Sequence, residues 1–441
     1  MLSRTEKIAY GLGDTASNII FQTVMLFLAF FYTDIFGISA AAVGTMFLVV
    51  RLIDAVTDPL MGLLTDKTRS RHGQFRPYLV WMAVPFAVFS VFAFTTPDFD
   101  ENGKLIYAYV TYTLLMLAYT AINIPYSALG GVLTEDPSER VSVQSYRFVL
   151  GMLGGLLVTT CTLPLVDWFG QGSQVVGYQL TIAALSVLGM MLFVVCFCGT
   201  KERIHPPKQQ QLSLREALKT LWQNEQWRRL SIAAALVLTG IALKNTLAVY
   251  YVKYYLLRDD LVTAFVSTGM VGNIIGCALA QYVCRYMDKV NAYIGIQVLA
   301  AIVCVAAYWI APEQLTAAFI MYFLWGLFLQ MGTPMLWAKI ADVADYGYWK
   351  TGVRATGLVY SSVVFFIKFG LALGGAISGW WLAFYDYTPN QIQNIEAQHG
   401  IQLAFTVLPA LASLLVAAVM LRYTLKQKRV QQISEALEQY S

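Results

Sequence analysis

Long apolar runs, each closed by a short polar break, occupy most of the chain from about residue 10 to residue 423. A helix needs roughly 20 apolar residues to cross the hydrocarbon layer. By that measure the runs predict spans near 10–35, 40–65, 77–96, 105–131, 146–168 and 177–199. A second set follows near 230–256, 262–287, 291–311, 315–342, 355–385 and 402–423. Between the sets lies the polar, amphipathic stretch KERIHPPKQQQLSLREALKTLWQNEQWRR. The pattern reads as an all-α polytopic membrane protein of about 12 transmembrane helices in two six-helix bundles. Its expected divisions are an amino-terminal bundle at 1–200, a linker at 201–229, a carboxyl-terminal bundle at 230–424 and a tail at 425–441.

Composition fits a chain dissolved in lipid. Hydrophobic residues make up 58% and charged residues 13%, with mean hydropathy +0.58, whereas soluble domains carry about 25% charge. The net charge of +4 comes with no basic stripe in a soluble domain, which argues against nucleic acid as a partner. Lys67, Arg69, Arg71, Arg76, the linker bases, Arg285, Lys289, Lys350, Arg354, Lys426, Lys428 and Arg429 fall on one side of the span map, and the opposite loops hold only Lys104 and Arg258. The positive-inside rule then places both termini and the linker in the cytoplasm. The start, MLSRTEKIAYGLGD, carries no cleavage pattern, so the first apolar run is expected to be retained. The acid-then-base loops at 62–77 and 284–290 echo one another and favour paired bundles around a midplane site.

Ionisable residues within spans cost about 2.5 to 3.5 kcal/mol each and mark where function lies. In RLIDAVTDP, Arg51, Asp54 and Asp58 share one helix face, with Thr57 beside them. Two carboxylates one turn apart repel unless a cation or proton lies between them, and hard oxygen ligands suit an alkali cation such as Na+. A structural charge network closed by Arg51 is the alternative. Asp14, Asn18 and Gln22 form one polar stripe; Tyr119, Asn123 and Ser127 form another. Such stripes either line a sugar-binding cavity or bond helices together. Arg147, Lys244, Trp337 and Lys368 are expected to face inward, while Lys253 and Lys339 lie close enough to span ends to snorkel. Glycines 151, 154, 155, 269, 272 and 276 are expected to let helices approach closely. The six cysteines sit in or beside apolar runs, and His72, His205 and His399 lie in loops. No nucleophile-and-base pair or metal-spaced set emerges, so an enzyme or a sensor is the remote alternative.

KIAYGLGD, FFYTDIFGISAAAVGTMFLVVRLIDAVTDPLMG, DKTRSRHGQFRP, AYTAINIPYSALGG and IADVADYGYWKTGVRATG appear in order along nearly the whole chain. Together they resemble the glycoside, pentoside and hexuronide cation symporters, the melibiose permease branch of the major facilitator superfamily. The resemblance implies the major facilitator fold, a bacterial inner membrane, and monomeric symport of a sugar with Na+ or H+, with no other cofactor. It also implies a cation site at Asp54, Asp58, Thr57 and Thr120, where Thr57 replaces the family's asparagine. The family's two sugar-binding aspartates fall on Asn18 and Asn123, and its helix-four tryptophan on Ser127, which argues against melibiose itself. Its tyrosine, arginine and helix-eleven lysine fall on Tyr119, Arg147 and Lys368. Lys244 stands where the permease has no base, either recognising an acidic sugar or balancing Asp14.

The expected mechanism is alternating access. A cation at the aspartate pair organises Asn18, Tyr119, Asn123, Arg147 and Trp337 for sugar, and the bundles rock about that site. Asp66, Arg69 and Arg71 in one cytoplasmic loop, with Asp342, Asp345 and Arg354 in the second half, are expected to gate it by pairing in one state and releasing in the other. An uncoupled facilitator, or a porter of another small amphipathic solute, is the nearer alternative.

Overall fold

The computed structural model describes residues 2–134, 137–203, 219, 221–352 and 356–438. Among these residues every named element is helical. The amino-terminal half runs α1 (Arg4–Thr23), α2 (Ala40–Lys67), α3 (Arg76–Trp81), α4 (Ala83–Ala93), α5 (Glu101–Val132), α6 (Pro137–Gly170) and α7 (Gln174–Gly199). The carboxyl-terminal half runs α8 (Glu225–Tyr250), α9 (Val262–Tyr286), α10 (Lys289–Ala307), α11 (Leu315–Thr351), α12 (Thr356–Phe384), α13 (Ile395–Leu421) and α14 (Gln427–Glu438). Eleven spans among the described residues are long and apolar enough to cross a membrane. The twelfth expected crossing, α1, carries the stripe Asp14, Asn18 and Gln22 and is less apolar.

Short polar residues start the spans. Ser3, Ser39, Asp100, Ser173, Asn224, Asp288 and Asn394 each accept a hydrogen bond from a backbone N–H of the first turn they precede. These caps put several boundaries outside the apolar runs: the seventh span begins at Glu225 rather than 230, and the twelfth at Ile395 rather than 402. The third span is two helices that meet at Met82. Pro85 has no N–H to donate back to the carbonyl one turn earlier, so the ladder is interrupted there. α1 and α8 both continue through wider π-helical turns, at Val24–Leu28 and Phe31–Ile35 in the first and Tyr251–Tyr255 in the second.

The chain divides into two compact units, Met1–Lys208 with Asp260–Ser267 and Leu382–Ile392, and Gln209–Asp259 with Thr268–Trp381 and Gln393–Ser441. In the first, α1 packs on α6 and α7, and α5 packs on α2 and α4. Asp34, at the end of α1's π-helical extension, accepts hydrogen bonds from Tyr387 Oη at 2.7 and 2.8 Å, which seats the Leu382–Ile392 segment in this unit. In the second unit α13 packs on α8 and α10, and α11 on α10 and α8. Lys339 departs from its expected snorkelling. Its side chain is wholly buried, donates to the carbonyls of Lys289 and Met335 at 3.3 Å, and lies 4.4 Å from the Tyr293 ring centre. The carbonyl at the start of α10 and one a turn earlier on α11 give the ammonium partners that lipid headgroups would otherwise supply.

Close backbone approach is concentrated at glycines. A Cβ on Gly276 would lie 2.1 Å from the Leu327 carbonyl oxygen, whereas nothing lies within 4 Å of one on Gly295. Because the obstacle at Gly276 is backbone, Gly276→Ala must force α9 and α11 apart, an overpacking that costs about 1–3 kcal/mol. Thermal melts in detergent are expected to show a lowered Tm for Gly276→Ala and none for Gly295→Ala.

The tail is a docked amphipathic helix. Ile433 is buried, Arg429 lies over the Trp349 ring, and the Asp288 carboxylate accepts the Gln427 N–H at 2.7 Å while capping α10. Burial alone would raise the Asp288 pKa, but the N–H donors of Gln427, Val290 and Asn291 outweigh it and hold the carboxyl below its ordinary range. A folded-state pKa depressed in this way stabilises docking at neutral pH, and that stability is lost as pH falls through it. The hydrogen-exchange protection of Gln427–Glu438, corrected for the intrinsic rate at each pH, is therefore expected to fall on acidification, and to be already low at neutral pH in Asp288→Asn.

Candidate functional site

Two polar clusters lie inside the first unit, and α5 touches both. α2 carries Asp54 and Asp58 one turn apart, and α5 brings Thr120 between them. Thr120 Oγ1 lies 2.5 Å from Asp54 Oδ1 and 3.0 Å from Asp58 Oδ1. Asp54 is 1% exposed, and its other oxygen faces Arg51 Nη1 at 3.6 Å. Arg51 is itself buried and lies over the Phe21 ring at 5.8 Å. A hydroxyl has one hydrogen, so Thr120 donates to only one carboxylate at a time. A shared proton or a cation would bring the other oxygen pair together favourably. Three oxygens of this hardness suit Na+ or H+ and not a soft metal. Among the described residues no group of three or more His, Cys, Asp or Glu is placed to hold a metal ion. Thr57 is not part of this convergence, for its hydroxyl donates to the Asp54 carbonyl of its own helix at 3.1 Å.

The second cluster centres on Arg147 of α6. Its Nε donates to Asp14 Oδ1 at 2.9 Å, and its guanidinium lies over the Tyr126 ring at 5.1 Å. Asn18 Nδ2 donates to Asp14 Oδ2 at 3.2 Å and to the Asp14 carbonyl at 2.9 Å. Tyr126 is held by stacking on Tyr10, and its hydroxyl donates to the Tyr10 carbonyl at 2.7 Å. Thr120 and Tyr126 are six residues apart in α5, about 9 Å of helix rise. Tyr119, stacked on Phe21, lies within electrostatic reach of Asp14, Arg147, Arg51 and Asp54 alike. Asn123, between Thr120 and Tyr126 on α5, keeps Oδ1 buried without a hydrogen-bond partner among the described residues. A buried amide oxygen left unpaired costs about 1–3 kcal/mol, which a ligand hydroxyl would recover.

The matching segments and these buried clusters lie in a chain that the sequence profile of the family described as MFS/sugar transport protein matches over residues 9–427. The chain belongs to that family. It is 44% identical over 441 residues to the inner membrane symporter YicJ of Escherichia coli, covering 100% of this chain and 96% of that one. To the putative glycoside/cation symporter YagG of the same organism it is 40% identical over 437 residues, covering 99% and 95%. The crystal structure of the nucleoside transporter NupG superposes with a TM-score of 0.67 at 13% identity, covering 95% of this chain and all of that one, and this likeness shows the fold. Members of such a family move solutes and do not transform them, so the chain is a transporter and not an enzyme.

The other expected site residues are distributed differently. Lys244 is 1% exposed within the second unit, where Nζ donates to Cys304 Sγ at 3.3 Å and lies over the rings of Phe405 and Trp325 at 4.5 and 5.0 Å. Lys368 is half-buried on α12 and Trp337 is exposed on α11. Arg69, Arg71 and Asp345 are exposed and Asp342 half-buried; the Asp66 side chain and Arg354 lie outside the described residues. The sequence placed Asp14 on the right stripe but did not name it as a site residue, and it assigned Lys244 as one possible balance for it. The balancing charge is Arg147. The four-residue spacing of Asp14 and Asn18 was a signal for Asp14 as a site residue, but nothing local pointed to Arg147 as its partner.

Thr120→Val removes the hydroxyl that both aspartates approach and keeps the volume. Leaving a buried carboxylate without that partner costs about 1–3 kcal/mol, or roughly five- to hundredfold in affinity. The half-saturating cation concentration for sugar uptake is expected to rise by that factor, and the titration of uptake rate against Na+ and against pH measures it.

Proposed function

We propose that the protein is a cation-coupled symporter that carries a glycoside or pentoside into the cell across the inner membrane by alternating access. The convergence of Thr120, Asp54 and Asp58 carries this reading, because that oxygen set suits a bound cation or proton. The named character of the relatives supports it, one as an inner membrane symporter and the other as a putative glycoside/cation symporter. Tyr119 and Asn123 lie on α5 with Thr120, Asn18 lies on α1 and Arg147 on α6, and they supply the amides, aromatic face and fixed donors that sugar hydroxyls require. Lys244, Trp337 and Lys368 are the second half's own candidates for contact with the substrate. Both termini face the cytoplasm, as does the loop bearing Asp66, Arg69 and Arg71; that loop and the segment bearing Asp342, Asp345 and Arg354 are the gating candidates of their own halves. One chain suffices for the cycle, so the protein works as a monomer.

Each monovalent cation entering with the membrane potential supplies about 2.3 kcal/mol per 100 mV, roughly fifty-fold accumulation. Uptake of radiolabelled xylosides, glucosides, galactosides and glucuronides into membrane vesicles, with and without a sodium or proton gradient, tests the reading. The expected result is gradient-dependent accumulation of a sugar by the wild type and its loss in Asp58→Asn. Equilibration that ignores both gradients in both proteins would make the chain a facilitator.

A further inference from the structure

The loop between α2 and α3 is held by an acid that follows α7. The backbone N–H groups of Gln74, Phe75 and Arg76 all donate to the Glu202 carboxylate, at 2.8 Å to Oε2 and at 2.7 and 2.8 Å to Oε1. Three successive N–H groups turned onto one anion form a nest that suits a carboxylate. Gly73, at φ +107, leaves the room for it, since a Cβ there would lie 2.5 Å from the carboxylate carbon. The Arg76 side chain returns the contact. Its Nη2 donates to the Phe197 carbonyl in the last turn of α7 at 2.6 Å, and its guanidinium lies 4.8 Å from the Phe197 ring centre. An acid beyond α7 thus satisfies the N–H groups that enter α3, and a base at the start of α3 satisfies a carbonyl at the end of α7.

The residues on either side of Glu202 tie the same point to two more helices. Arg203 donates through Nη1 and Nη2 to the two Glu6 oxygens on α1, at 2.7 and 2.9 Å, and the Lys201 N–H donates to Glu6 at 3.2 Å. The Arg203 N–H reaches the Val132 carbonyl at 2.9 Å and Nη1 the Leu133 carbonyl at 3.3 Å, at the end of α5. Lys201–Arg203 therefore gathers one end of α1, α3, α5 and α7. The turn that Glu202 holds is closed on itself, for Ser70 Oγ donates to the Gly73 carbonyl at 2.8 Å and accepts the His72 N–H at 3.1 Å. Arg69 and Arg71 are exposed on either side of Ser70, so the anchored end of this turn sets where they stand.

We propose that Glu202 is a positioning residue for the conformational step of transport, seating the loop that bears Arg69 and Arg71 so that loop and first unit move as one body. This rests on the symporter reading above and on that loop being a gate of its half. Glu202 acts through the loop and not on the polar clusters within the unit. Glu6, the partner of its neighbour Arg203, lies eight residues before Asp14 on α1, about 12 Å of helix rise. Loss of the Glu202 charge weakens three bonds to the loop at once, and a loop that swings by itself no longer carries the movement of its bundle. Sugar binding survives such a change while the rate of the cycle falls.

The test compares wild type with Glu202→Gln in lipid nanodiscs and in membrane vesicles. Exchange protection of the Gln74–Arg76 amides, corrected for the intrinsic rate, is expected to fall about ten- to hundredfold, as hydrogen bonds to a charged group are lost. Uptake of the radiolabelled methyl glycosides of xylose, glucose, galactose and glucuronic acid is followed under a sodium and under a proton gradient. The maximal rate per molecule is expected to fall about tenfold, with the half-saturating sugar concentration unchanged. Should Glu202→Gln fail to fold, Gly73→Ala pushes the carboxylate out of the nest without removing it and is expected to move both readouts in the same way. Protection unchanged in whichever variant folds, protection lost with the maximal rate intact, or a rate loss matched by a loss of sugar affinity overturns the inference while leaving the symporter standing. A wild type that accumulates none of these glycosides under either gradient overturns the symporter reading and this inference with it.

Discussion

Lipid does not solvate charge, and the polar architecture of the first unit follows from that refusal. Every charged side chain in its two clusters lies against a partner drawn from another helix or from the next turn. Asp54 has Arg51 on its own helix and Thr120 across the interface; Asp14 on α1 has Arg147 on α6. A pairing made between helices fixes how those helices sit, so the same contacts that solvate the charges also register α2 against α5 and α1 against α6. Charge balance and architecture are thus written in one set of bonds.

The second unit handles buried charge by a different means. Lys244 lies among a thiol and two aromatic faces, and Lys339 takes backbone carbonyls and a tyrosine ring. Aromatic faces attract a cation at about 0.5–2 kcal/mol without presenting an anion. The buried clusters of the first unit thus pair bases with carboxylates, while Lys244 and Lys339 in the second are held by aromatic rings, a thiol and backbone carbonyls.

Much of this was legible from the residues. Apolar runs of membrane length gave the spans, because lipid leaves little freedom in where a helix must be apolar. The spacing of Asp54 and Asp58 pointed to the polar cluster that Thr120 joins, because carboxylates one helical turn apart inside a span have few benign explanations. The pairing of Asp14 with Arg147 was not legible, since it joins residues 133 positions apart on different helices and no local pattern ties them. The broken third span was hidden for the opposite reason: Pro85 sits inside an unbroken apolar run, and only the missing backbone donor interrupts it. Thr57 shows a third kind of difficulty. Its position suggested a ligand, but a hydroxyl on a helix can always turn to the carbonyl three or four residues back, and here it does.

Gly151 constrains more than packing. Its missing side chain is the space in which the Asp14 carboxylate and the Asn18 amide sit, so positions 14, 18 and 151 behave as one unit of inheritance. A descendant that gained a side chain at 151 would have to shorten or relocate the acid at 14 in the same lineage, and Arg147 would then need a new counter-ion.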